Sequence, residues 1–154
     1  MLYESEEEMS LYFERFISRK FGTTFLKEVD GLFGIPDYVF YTNHKDPEKI
    51  SVISFELKLK NWKKALHQAF RYRSFSHVSY VVISPDGESA ALKNKAIFEK
   101  YNIGLAVYRT KSNLDVLVKP SPSKPFSAKL QKKTIALVQG KRRKTKKEIA
   151  SLIS

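Results

Sequence analysis

Three side chains in two apolar segments have the types and spacing for metal-assisted chemistry. Asp37 follows Gly34-Ile35-Pro36 and opens the apolar run Tyr38-Val39-Phe40-Tyr41. Nineteen residues on, Glu56 and Lys58 stand two apart in segment 50–59, which is otherwise apolar enough to be a central strand. Strand side chains alternate between faces, so Ile53, Phe55, Leu57 and Leu59 go one way and Glu56 and Lys58 the other. If the two segments are neighbouring strands, Asp37 and Glu56 offer a pair of hard oxygen donors. Mg²⁺ typically takes one or two carboxylates and fills its other positions with water and phosphate oxygens. An ion so held lowers the pKa of a bound water and neutralises charge developing on a phosphate. Lys58, one strand step from Glu56, is placed to orient an attacking water or to offset transition-state charge. A Glu-x-Lys in a strand also arises as an ion pair on a solvated face, so the triplet alone is a weak signal.

The elements that must position these groups are legible from periodicity. Residues 4–20 read as a helix, with Met9, Phe13, Phe16 and Ile17 on one stripe and Ser5 and Glu8 as a capping pair. Glu6 projects on the Met9–Phe13 side and is a candidate third carboxylate, whereas Glu7, Glu8 and Glu14 turn away as helix-start and surface acids. Segment 23–29 reads as a first strand, 43–49 as a polar hairpin loop around Pro47, and 50–59 as the central strand. Asn61 then caps a helix of about 15 residues, with Trp62, Ala65, Leu66, Ala69, Phe70 and Arg73 along one side. Its other side carries Lys60, Lys63, Lys64, His67 and Arg71, and Gln68 and Tyr72 share a flank of the apolar stripe. Exposed cations on a helix are commonly solvation. Clustered beside a phosphate site, they are natural nucleic-acid contacts. A strand doubly buried over 78–83, a helix over 89–101 and strands over 103–108 and 114–118 complete an α/β sandwich of mixed sheet and flanking helices.

Charge separates the chain into two regions. Of a net +12, residues 1–118 hold 17 Lys/Arg against 15 Asp/Glu, while 119–154 hold 11 Lys/Arg against Glu148 alone. Basicity so placed points to a polyanion, nucleic acid before an anionic membrane surface. Residues 1–118 are therefore read as the α/β core and 119–154 as an appendage. A Pro/Ser-rich linker leads into a short helix over 127–139. The basic run Lys141, Arg142, Arg143, Lys144, Lys146 and Lys147 follows, read as a lysine-rich disordered arm that binds nucleic acid. Residues 145–153 also suit the first helix of a helix-turn-helix. No run approaches the length of a membrane helix, no signal-peptide pattern opens the chain, and a cytoplasmic protein is the default expectation. The lack of cysteine excludes disulfides, thiolate metal sites and iron–sulfur clusters. Three scattered histidines give a histidine metal site little support.

Pro36-Asp37 followed by Glu56-Leu57-Lys58 resembles the bipartite motif of the PD-(D/E)xK nuclease superfamily. Glu6 matches the additional helical acid of many members, and Gln68 and Tyr72 look like the Gln-x-x-x-Tyr motif of exonuclease branches. The likeness covers about residues 4–110 in element order. It implies a restriction-endonuclease-like three-layer sandwich, with Mg²⁺- or Mn²⁺-dependent cleavage of DNA phosphodiesters, often by a homodimer. Asp37 and Glu56 would be ligands with Glu6 a third, Lys58 the catalytic cation, and Gln68 and Tyr72 accessory. The rival expectation is a non-catalytic nucleic-acid-binding protein on the same scaffold. A third is a peripheral membrane or partner-binding adaptor using the basic tail.

Overall fold

The computed structural model describes residues 3–110, 112–140 and 145–153. Helix α1 (Glu6–Lys20) begins where Ser5 Oγ accepts the Glu8 N–H at 3.1 Å, and Glu8 reaches back one residue further, to the N–H of Glu4. Strands β1 (Leu26–Lys27), β2 (Tyr38–Tyr41), β3 (Val52–Lys58), β4 (Val78–Ile83), β5 (Gly104–Thr110) and β6 (Asn113–Val118) form one sheet in sequence order. Pairings are antiparallel except β3–β4 and β4–β5, which are parallel. The parallel pairs need crossovers. Helix α2 (Trp62–Tyr72) supplies the first, and α3 (Pro85–Lys93) with α4 (Lys95–Tyr101) the second. The fold is thus α/β with a six-stranded mixed sheet and helices on both faces.

The core alternates as the strands do. Phe55, Leu57, Tyr38, Phe40 and Tyr80 pack against Met9, Phe13, Phe16 and Ile17 of α1. The opposite faces of β4 and β5 meet Ala65 and Ala69 of α2 and Phe98 of α4. On that same side Val39, Tyr41 and Val52 pack with Tyr72 and with Ile135 and Val138 of α5 (Ala128–Gln139).

Several expectations are corrected. The first strand keeps only two residues, because Glu28 takes a positive φ of 50° and turns the chain away. Helix α2 is shorter than expected and buries Tyr72, leaving Phe70 in solvent. The expected helix over 89–101 is two helices, and the first starts four residues earlier. Pro85 sits at its opening position after Ser84, where a missing N–H is harmless. Gly87 lets that first turn lie against the end of β3, since a Cβ there would come 2.6 Å from the Leu59 carbonyl oxygen.

The largest correction concerns the tail. Its described residues are packed into the core and form neither a disordered arm nor the start of a helix-turn-helix. The 3₁₀ segment Lys147–Leu152 buries Ile149 and Leu152 in the α1-side core. Tyr80 Oη donates to the Leu152 carbonyl at 2.8 Å, and Asn43 Nδ2 donates to the Thr145 carbonyl. The linker is pinned too, by Ser123 N–H on the His77 carbonyl and Phe126 N–H on the Arg73 carbonyl. Apolar residues every few positions among the lysines are what the tail uses to fold. Its high charge misleads because only side-chain ends need reach water.

Candidate active site

Asp37 and Glu56 are brought together by strand register. Tyr38 pairs with Phe55, so Asp37, one step before β2 proper, lies against the Phe55–Leu57 stretch. Its own N–H donates to the Phe55 carbonyl, and its Oδ2 accepts the Leu57 N–H at 2.7 Å. Asp37 is thereby fixed to β3 through both its main chain and its carboxylate. Glu56 is only 4% exposed and points to the α2 face, where Tyr72 Oη lies 2.6 Å from its Oε1. The same hydroxyl lies 3.0 Å from the Ile35 carbonyl, so one proton serves two acceptors. Tyr72 thus ties α2 to both halves of the motif.

Burial, then the negative charge of Asp37, pushes the Glu56 carboxyl up to about 8, against the opposing pull of Tyr72 and Lys58. Burial also raises Asp37, opposed by the Leu57 N–H and Lys58. Two desolvated carboxylates in each other's field are costly to ionise together, and a nearby cation relieves that cost. The partner at hand is Lys58, whose Nζ lies 3.4 Å from Glu6 Oε1. The Lys58 side chain is 17% exposed and that of Glu6 48%, so a largely buried cation in the field of Asp37 and Glu56 pairs with a half-solvated acid. Glu6 joins the constellation through this ion pair.

An open cleft of about 310 Å³ lies in front of Asp37, walled by Glu6, Glu7, Glu14, Glu28 and Lys27. Lys27 is engaged by Glu14 at 2.9 Å, so the cleft is strongly acidic. Glu7 and Glu14, read from periodicity as surface acids, line this cleft too, while the acids whose charge raises the Asp37 carboxyl are Glu6 and Glu28. Among the described residues no group of three or more His, Asp or Glu converges closely enough to hold a metal ion. What the fold offers is a pair, Asp37 and Glu56. That pair fits Mg²⁺ or Mn²⁺, ions that keep several water ligands. A second observation fits the same chemistry: Gln68 Oε1 is buried and meets no hydrogen-bond donor among the described residues. Gln68 lies one helical turn from Tyr72 on the same flank of α2, and a buried polar atom without a partner is an acceptor that a bound group could use.

The basic residues divide between two places. Lys60, just before α2, and Lys63, Lys64, His67 and Arg71 on it are all exposed. Arg71 lies 5.6 Å from the Phe33 ring, on the flank of Tyr72, while Lys63 and His67 line a cavity against α4. Lys146 Nζ donates to the Arg19 carbonyl at 2.8 Å, at the far end of α1 from Glu6. Thirteen residues of helix separate these ends, about 20 Å. Lys147 is exposed beside it, and Lys141, Arg142, Arg143 and Lys144 lie outside the described residues.

Sequence reasoning missed the part played by Gly34. Its φ is 81°, and a Cβ there would stand 2.8 Å from Tyr72 Cε1. Gly31, three residues earlier with φ 87°, would meet only the flexible end of Lys133. Both substitutions to Ala strain the backbone by about 1–2 kcal/mol. Gly34→Ala should cost further stability by displacing Tyr72. It should also shift the Glu56 titration upward, since Tyr72 is what holds that carboxyl down. Melting curves of the two variants, with the Glu56 titration followed by carbonyl NMR, check this. Equal effects at the two glycines would remove the Tyr72 contact from the argument.

Compared with protein-family models, curated proteins and solved structures, the chain matches none. Among the described residues no helix is long and apolar enough to cross a membrane.

Proposed function

We propose that this protein is a metal-dependent nuclease of the PD-(D/E)xK type that hydrolyses DNA phosphodiesters at Asp37, Glu56 and Lys58. The observation that carries the reading is the pairing of buried Glu56 with half-buried Asp37, in the field of Lys58, with Asp37 also lining an acidic cleft. A bound Mg²⁺ or Mn²⁺ would supply an acidified water and charge neutralisation at the phosphate. Asp37 and Glu56 hold that ion, and the Leu57 N–H and the Tyr72 hydroxyl orient the two carboxylates. Gln68 accepts from a water in the site. Lys58 offsets charge developing on the phosphate as it leaves its loose pairing with Glu6. Lys64 and Arg71, on the flank of α2 that carries Gln68, meet the backbone of the bound strand without reading its sequence.

The acidic cleft favours catalysis over simple binding. Five carboxylates around one opening repel a phosphate unless a cation intervenes, and a binding protein gains nothing from burying Glu56 behind one of them, Asp37. The test is incubation with plasmid, branched and single-stranded DNA, in Mn²⁺ or in EDTA. Cleavage confined to the Mn²⁺ arm is expected, and no cleavage of any substrate would overturn the reading.

Lys58 gives a sharper expectation. An ion pair with a half-exposed Glu6 is worth at most about 1 kcal/mol. Lys58→Ala should therefore leave the melting temperature nearly unchanged while single-turnover cleavage falls by about a hundredfold. Calorimetric Mn²⁺ affinity should stay within a few-fold of wild type. A fully active variant would reduce Lys58 to a structural partner of Glu6.

A further inference from the structure

The flank of α2 turned away from the carboxylates carries a second cluster that the proposed chemistry does not use. Phe70, Tyr101 and Phe126 are 37%, 40% and 56% exposed, three of the large apolar side chains left in solvent. They are not scattered. Phe70 meets Tyr101 and Phe126 at ring-centroid distances of 5.6 Å each, so one platform is built from α2, α4 and the linker. The platform is held rigid by Arg73, whose guanidinium donates to the Tyr101 carbonyl at 3.0 Å and to Ser123 Oγ at 2.8 Å. It also lies 4.6 Å from the Phe126 ring. Beside the platform an open cavity of about 340 Å³ runs between α2 and α4, floored by Trp62, Leu66 and Ile97.

Charge surrounds these rings with one sign. Lys63 and His67 line the cavity, Lys100 Nζ lies 5.5 Å from the Tyr101 ring centroid, and no Asp or Glu is in the lining. Fixed aromatic faces beside cations complement a planar, π-faced group carried on a polyanion. We propose that this groove binds single-stranded nucleic acid, with bases stacked on Phe70, Tyr101 and Phe126 and phosphates met by Lys63 and Lys100. A duplex keeps its base faces covered and cannot use the rings. An acidic amphipathic peptide is the other occupant with matching charge. That occupant would be served by Leu or Met at these positions, whereas all three exposed groups are aromatic. The groove lies on the opposite flank of α2 from Gln68 and Arg71, so the proposal stands apart from the metal-site reading.

Trp62 is the only tryptophan and floors the cavity, which makes its fluorescence a direct reporter. The full chain would be titrated in EDTA with a 12-nucleotide oligo-dT, with a duplex of equal length and with an acidic amphipathic peptide. Saturable Trp62 quenching by the oligonucleotide, weaker for the duplex, is expected. The double substitution Phe70→Ala, Phe126→Ala should weaken single-strand binding by about tenfold or more. Lys63→Glu, at an exposed position that cannot unfold the chain, should weaken it several-fold and serves alone if the double variant melts early. Unchanged affinity in the variants, equal binding of the duplex, or a response to the peptide alone would each overturn the proposal. No cleavage is read in this assay, so its failure leaves the metal site untouched, and an inactive metal site leaves the groove to be judged by itself.

Discussion

Replacing Glu56 by Gln should lower Mn²⁺-dependent cleavage by at least about a thousandfold while making the protein more stable above pH 8. The two effects have one cause. The amide oxygen of the substituted side chain can still accept the Tyr72 hydroxyl proton, so the local bonding survives, but the buried charge is gone. In the folded protein the Glu56 carboxyl titrates near 8, against an ordinary value of 4.5. A carboxyl raised by folding contributes stability that is fully present below its unfolded value and is lost as pH rises through its folded value. Wild-type stability should therefore decline between about pH 4.5 and pH 8, by an amount on the order of a few kcal/mol at about 1.4 kcal/mol per unit. The Glu56→Gln variant should lack most of that decline. Mn²⁺ binds the ionised pair and should restore wild-type stability at pH 8 while leaving the variant unchanged. Denaturant melts across pH, with and without Mn²⁺, test this without reference to activity. Asp37→Asn should behave alike in cleavage, because the amide oxygen still accepts the Leu57 N–H. Wild-type cleavage rates in both variants would show that the chemistry lies elsewhere.

The second large effect is expected on ending the chain at Lys119. The protein should then melt far lower or fail to fold at all. Such a truncation removes Ile135 and Val138 from beneath β2 and β3, and Ile149 and Leu152 from the α1-side core. Each buried aliphatic contributes about 1.5–3 kcal/mol. Four together approach the entire stability of a small domain, about 5–15 kcal/mol. Truncation is accordingly no test of a DNA arm. The charge contribution is better measured by changing residues 141–144 and Lys147 to Ser in the full chain. If these side chains meet phosphates, the slope of log K against log salt on duplex DNA should fall by about 0.9 per lost contact. A truncated protein that melts with the full chain would show that α5 and the 3₁₀ segment add nothing to the core.

The sequence by itself determined the elements that rest on local patterns. The α1 stripe of Met9, Phe13, Phe16 and Ile17 is buried as its spacing requires, and β4, apolar but for Ser79, is covered on both faces. Alternation along β3 placed Glu56 opposite Phe55 and Leu57, because a strand has only two faces to offer. Boundaries were less legible where a single dihedral decides them, as at Glu28. Tertiary structure alone decided three matters. It set the register that puts Asp37 beside Glu56, which depends on which strands pair and not on either strand's composition. It turned Gly34 and Tyr72 into one contact 38 residues apart, with Ile35 lending a carbonyl that has no sequence signature. And it folded the lysine-rich tail across both faces of the sheet. Charge counts describe where side-chain ends must go, whereas Ile135, Val138, Ile149 and Leu152 find their place only once the sheet exists to receive them.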